Sequence, residues 1–162
     1  MDDESGGAQR ARVPTSEDLA RIARSLNDHG VRYAVIGGFA IIHHGFARAT
    51  NDIDLLVDPS PENVERIRQA LAVLEDRAAL DVRPTDIAEY NVVRIADEIV
   101  VDLIGSAAGV TLADIAAEME HSEVDGVPVP YPSPAALLRT KQTVRDKDVQ
   151  DRDFLEALLR EE

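Results

Sequence analysis

Cysteine is absent from this chain of 162 residues, which excludes a disulfide framework, a thiolate metal site and a cysteine nucleophile. Histidine is scarce, with four copies, so carboxylates must carry most of any acid–base or metal chemistry. No apolar run approaches the roughly 18 residues that a membrane span needs, so no membrane role is expected. The N-terminus reads Met1-Asp2-Asp3-Glu4 where an export signal would be basic and then apolar, and a cytoplasmic location is therefore expected. Positive charge is also in deficit: 17 basic against 31 acidic residues leave a formal charge of −14. Such a charge repels phosphates at long range, so a nucleic-acid partner would need a local basic groove.

What basic charge there is clusters late. Residues 82–138 hold ten acidic residues against Arg83 and Arg94 alone, whereas 139–152 contain Arg139, Lys141, Arg145, Lys147 and Arg152. Both lysines of the chain fall in that second stretch. The length suits one domain with a core of its own, and 44% hydrophobic residues is the composition of a globular protein. Residues 1–13 lack periodicity and read as a disordered tail. Residues 14–162 read as one domain, with a core over about 31–105 and a helical C-terminal part over about 133–162.

Thr15 and Asp18 form a capping-box pattern ahead of Leu19, Ile22, Ala23 and Leu26, which predicts a helix over 16–28 closed by Gly30. Tyr33 to Ile36 predicts a strand, Gly37-Gly38 a turn, and Phe39 to His44 a short helix. A second strand is expected from Ile53 to Val57. After it Ser60-Pro61-Glu62 opens a helix with Val64, Ile67, Leu71 and Leu74 on its buried face. Tyr90–Ile95 and Ile99–Ile104 predict an antiparallel hairpin. Further helices are expected over 111–119, from Ser133 to about Val144, and over 148–159, the last burying Phe154, Leu155 and Leu158.

Chemistry concentrates in a spaced set: Gly37-Gly38, then Asp52-Ile53-Asp54 at a strand start, then Asp102 in a later strand. Residues two apart on a strand project from one face with Cα atoms roughly 6.6 Å apart, so Asp52 and Asp54 can converge. Oxygen ligands from two strands suit a pair of magnesium ions about 3.5–4 Å apart, the arrangement used for in-line phosphoryl displacement. Asp102 lies among apolar neighbours, where an unpaired charge would be costly, so it is expected at a sheet edge beside a cation. A Gly-Gly turn leading into a helix leaves backbone N–H groups free to cradle phosphates. His43 and His44 are adjacent on a helix, about 100° apart, and are not expected to chelate as a pair.

This set resembles the DNA polymerase beta-like nucleotidyltransferases, over Tyr33 to Ile104. More narrowly, Gly37-Gly38-Phe39-Ala40 with His44-Gly45, Arg48-Ala49-Thr50, Asp52-Ile53-Asp54-Leu55-Leu56-Val57 and the late Lys141-x5-Lys147-Asp148-x2-Asp151 is similar to the AbiEii-type toxins of type IV toxin–antitoxin systems. Gly38 replaces the serine usual in the wider superfamily, as is common in that branch. Many such toxins also have a longer C-terminal region. The resemblance implies an α/β nucleotidyltransferase fold with a small mixed sheet flanked by helices. It also implies Mg²⁺ (two ions, with Mn²⁺ as the alternative), a nucleoside triphosphate substrate and a cognate antitoxin. Asp52, Asp54 and Asp102 would be the catalytic and metal-binding acids. Gly37, Gly38, Arg48, Thr50, Lys141, Arg145 and Lys147 would bind the nucleotide, with Asp148 and Asp151 orienting that basic cluster. The acceptor expected on this resemblance is an RNA, tRNA in particular, or a protein hydroxyl. The acidic surface keeps open a small-molecule enzyme acting on polycationic aminoglycosides. A non-catalytic nucleotide-binding or antitoxin-type module is the third alternative.

Overall fold

A computed structural model of the protein describes residues 11–161. Over residues 1–10 the expected tail lies outside the described residues. At its end, the chain is already engaged: the Arg12 N–H donates to the Glu98 carbonyl at 3.0 Å. The Arg12 guanidinium also grips both Asp18 oxygens, at 2.6 and 2.8 Å. Folded contacts thus begin before Pro14.

Helix α1 (Ser16–Asp28) has the expected capping box, with Thr15 and Asp18 exchanging bonds, and buries Leu19, Ile22, Ala23 and Leu26. It is followed by β1 (Tyr33–Ile36), α2 (Gly37–His43), β2 (Ile53–Val57) and α3 (Pro61–Leu71), which Ser60 caps. A short helix, α4 (Asp86–Tyr90), leads into β3 (Val92–Ala96) and β4 (Val100–Ile104). Four strands form one mixed sheet in the order β1-β2-β4-β3. The β1–β2 and β3–β4 pairs are antiparallel, and the central β2–β4 pair is parallel. Ile53, Leu55, Val101 and Leu103 are fully buried in its centre.

Two predicted helices differ. The segment 111–119 divides into the end of a two-strand ribbon, β5 (Ser106–Ala107) with β6 (Val110–Thr111), a 3-10 turn over Ala113–Glu118, and the start of β7 (Met119–Val124). Only Ile115 of that turn is buried, so no stripe exists to dock a full helix, while β7 pairs along its length with β8 (Val127–Pro132). The helix from Ser133 stops early, as α5 (Pro134–Arg139). The chain then turns, and the Arg152 guanidinium donates to the carbonyls of Lys141 and Thr143. Helix α6 (Asp146–Arg160) returns across the molecule, burying Leu155 fully and stacking Phe154 on Phe46 with ring centroids 5.1 Å apart. Leu158 is only half-buried. Among the described residues no helix is long and apolar enough to cross a membrane.

Asp18 ties the first helix to the incoming chain. Hydrogen bonding from Arg12, reinforced by Thr15, holds its pKa down to about 2 against the ordinary 3.8. A depressed carboxylate stabilises the fold above its unfolded pKa and loses that contribution as pH falls towards the folded one. Asp18→Asn should therefore cost about 1–2 kcal/mol at pH 7, and urea titrations should show the gap to wild type closing between pH 4 and 2. A gap constant with pH would contradict the assignment.

Candidate active site

The parallel register of β2 against β4 sets Asp54 directly beside Asp102. The antiparallel register of β4 against β3 sets Arg94 on the far side of Asp102. Asp52 approaches from the residue just before β2. Carboxylate oxygens of Asp52, Asp54 and Asp102 all fall within 4.8 Å of one another. The two-residue spacing and the pairing of β2 with β4 thus bring the three acids together as the sequence predicts. Asp102, however, occupies an interior strand and not a sheet edge.

The cation beside Asp102 is Arg94, a residue outside the predicted site. Its Nε donates to one Asp102 oxygen and its Nη2 to the other, both at 2.9 Å, and Nη2 also reaches Asp52 at 3.3 Å. The signal was in the sequence: Asp102 requires a cation, and Arg94 is one of only two basic residues in 82–138. Asp54 has no such partner. Burial, then the neighbouring charges of Asp52 and Asp102, push its pKa up to about 7, with Lys147 and Lys141 opposing.

The two glycines have a packing reason that sequence reading did not supply. Gly37 has φ +67° and a Cβ there would lie 2.1 Å from an Asp54 oxygen. A Cβ on Gly38 would lie 2.4 Å from the Thr50 side chain, whose hydroxyl donates to the Asp52 carbonyl. Both glycines are buried and helix α2 starts on them, so Gly37 makes room for Asp54 and Gly38 for Thr50, and the pair does not stand as an open loop.

The acids open onto a cavity of about 400 Å³. Arg145, Lys147, Thr140 and Thr143 line it together with Asp52, Asp54, Asp102 and Arg94, while Val92, Ile104, Ala107 and Ala108 give it an apolar portion. Lys141 is not on this wall. Helical spacing predicted a common face with Arg145, but the chain leaves the helix after Arg139. Lys141 is 5% exposed, with its ammonium 3.1 Å from Asp151 and 3.7 Å from Asp148. Arg48 is likewise turned inward, holding Asp151 through two bonds of 3.0 Å. Asp148 accepts from Thr143 and Arg145. Burial tends to raise its pKa, but Thr143, Lys141 and Arg145 outweigh that and lower it. Asp148 and Asp151, buried on α6, thus pair with Lys141, Arg145 and Arg48.

His43, His44 and Glu120 form a second group within 4.8 Å. The His43 ring stacks on Tyr131, and the His44 Nε2 lies 2.9 Å from the Pro132 carbonyl oxygen.

The parallel β2–β4 pair thus holds Asp54 beside Asp102, with Asp52 just before β2 and Gly37 packed against Asp54. Over residues 18–153 the sequence matches the family described as nucleotidyl transferase AbiEii toxin, type IV toxin–antitoxin system. The chain belongs to that family and is a nucleotidyltransferase of it. Among solved structures it is similar to a candidate nucleotidyltransferase from Thermotoga maritima, at 16% identity and a TM-score of 0.57. That likeness covers 95% of this chain and 99% of the other, and speaks to the fold. No match among curated proteins was found.

The raised pKa of Asp54 has a consequence for stability. Between about pH 4 and 7 the folded state keeps a proton that the unfolded state has released, so this group makes the protein less stable as pH rises through that window. Asp54→Asn lacks the titration. In EDTA, its stability relative to wild type should rise by about 1–3 kcal/mol from pH 4 to pH 7 and then level off. Parallel stability curves across the window would show that Asp54 is not held protonated.

Proposed function

We propose that the protein transfers a nucleoside monophosphate from a nucleoside triphosphate to a hydroxyl of an RNA, tRNA in particular, with release of pyrophosphate. The observation that carries this reading is one cavity with Asp52, Asp54 and Asp102 on one wall and Arg145 and Lys147 on another. The acids fit Mg²⁺: they are hard oxygen donors from separate segments, and a side-chain cation already bridges two of them. Mg²⁺ held by Asp52, Asp54 and Asp102 would supply positive charge for the reacting phosphate and for the attacking hydroxyl, and Mn²⁺ would serve in its place.

The chain's own residues supply the rest. Lys147 and Arg145 bind the triphosphate and steady the negative charge that develops on departing pyrophosphate. Arg48, Lys141, Asp148 and Asp151 act on the nucleotide indirectly, by fixing the 140–147 segment that presents those two cations. Thr50 and the pair Gly37-Gly38 let the acids pack against α2 at their required spacing. The acceptor oxygen bonds to the α-phosphorus, the bond to the bridging oxygen breaks, and a carboxylate of the cluster takes the hydroxyl proton. A protein hydroxyl is the other acceptor in reach of this chemistry, and a cognate antitoxin and a cytoplasmic setting belong to the same reading. The net charge of −14 favours one rival, a polycationic aminoglycoside as acceptor.

Incubation with each α-labelled NTP, Mg²⁺ and total RNA, a protein extract or aminoglycosides separates these acceptors. Label should enter RNA and be lost with Asp54→Ala; label in the antibiotic alone would establish the rival, and equal transfer by the variant would remove Asp54 from the site. Lys147→Ala should raise the KM for NTP several-fold, with a smaller effect at high salt. Lys141→Glu should instead lower stability, because it places a third carboxylate against Asp148 and Asp151. A normal KM in Lys147→Ala would contradict the role given to that wall.

A further inference from the structure

We propose that Arg94 is the resident counter-ion of the carboxylate cluster, and that a divalent ion gains the cluster only by displacing it. Metal binding would then stay weak until a triphosphate offers the displaced guanidinium another partner. This rests on the reading of Asp52, Asp54 and Asp102 as metal ligands.

The geometry points to competition for the same lone pairs. One nitrogen, Arg94 Nη2, is 2.9 Å from Asp102 Oδ2 and 3.3 Å from Asp52 Oδ2, and so bridges two carboxylates, one on β4 and one just before β2. Nε takes the remaining Asp102 oxygen at 2.9 Å. Both Asp102 oxygens are therefore committed to a planar fork, the strongest arrangement a guanidinium makes with a carboxylate. An oxygen ligand must approach Mg²⁺ to about 2.0–2.1 Å. A cation that close to Asp102 and Asp52 would face the guanidinium across the same oxygens, and like charges that close repel strongly.

Arg94 can move. Its side chain is 56% exposed and borders the cavity, in contrast to the buried Lys141 and the mostly buried Arg48. The cavity's other cations, Arg145 and Lys147, leave a displaced Arg94 without a negative partner until a polyanion arrives. A triphosphate supplies about four negative charges, enough to accept Arg94 while the acids take the metal. Order follows from charge: nucleotide and metal enter together, and metal alone is held off. A role confined to stabilising the fold would leave metal affinity unaltered when Arg94 is changed.

The test is equilibrium binding of Mn²⁺ to the full chain, read from the electron paramagnetic resonance signal of free Mn²⁺, without nucleotide. Arg94→Gln should bind Mn²⁺ about tenfold more tightly than wild type. Adding Asp54→Asn to that variant should remove the gain. In inorganic tripolyphosphate, the difference between wild type and Arg94→Gln should shrink towards none. Arg94→Lys keeps the charge but has one nitrogen and cannot make the two-nitrogen fork on Asp102, so it should also bind more tightly than wild type, and it serves if the glutamine variant folds poorly. Equal Mn²⁺ affinity in wild type and both variants, with Asp54→Asn weakening all of them, would overturn the proposal and leave the metal-ligand reading standing. Binding that is absent throughout, or indifferent to Asp54→Asn, would overturn that reading and the proposal with it.

Discussion

The parallel pairing of β2 with β4 is the constraint on which the rest depends. It aligns Asp54 with Asp102, and Asp52, one residue outside the strand, completes a group of three carboxylates within 4.8 Å. Such a group is unfavourable by itself, because like charges that close cannot all ionise cheaply. The fold answers the cost in three ways. Asp54 gives up ionisation and titrates near 7. Asp102 and Asp52 share a guanidinium from the neighbouring strand. Lys147 and Lys141 oppose the accumulated charge from across and behind the cavity.

The basic residues divide into two tiers. Arg145 and Lys147 face the cavity, whereas Lys141 and Arg48 converge on Asp151, which is fully buried. Buried ion pairs contribute little net stability after desolvation, but removing one partner is costly, so they hold a particular arrangement in place. Here they join the segment before β2 to the turn before α6. Arg152 secures the same turn through the carbonyls of Lys141 and Thr143. The wall that faces the acids is thus positioned from the same side chains that anchor the C-terminal helix.

Much of this was legible in the residues. The spacing Gly37-Gly38, Asp52-Ile53-Asp54, Asp102 located the carboxylate cluster, because period-two geometry and a three-carboxylate requirement leave few alternatives. Helix α1 and strands β1 and β2 were legible to the residue, since caps and glycines bound them. The scarcity of cations in 82–138 narrowed the partner of Asp102 to Arg83 or Arg94, but choosing Arg94 required the β3–β4 register, which periodicity within one strand does not contain. Lys141 was misplaced for a related reason: helical spacing presumes a continuous helix, and that helix ends at Arg139, before a turn whose carbonyls Arg152 holds from α6. The segment 111–119 failed because its local pattern is compatible with helix but lacks a buried stripe: of Ala113–Glu118 only Ile115 is buried.

The central claim is that Asp52, Asp54 and Asp102 form a metal-dependent nucleotide site facing Arg145 and Lys147. Its most direct test is anomalous diffraction from crystals grown with Mn²⁺ and non-hydrolysable NTP analogues. The account predicts manganese density bounded by the three carboxylates, with the triphosphate running towards Lys147 and Arg94 turned away from Asp102. Manganese at His43, His44 and Glu120 instead, or a triphosphate bound elsewhere with Arg94 still forked on Asp102, would contradict it.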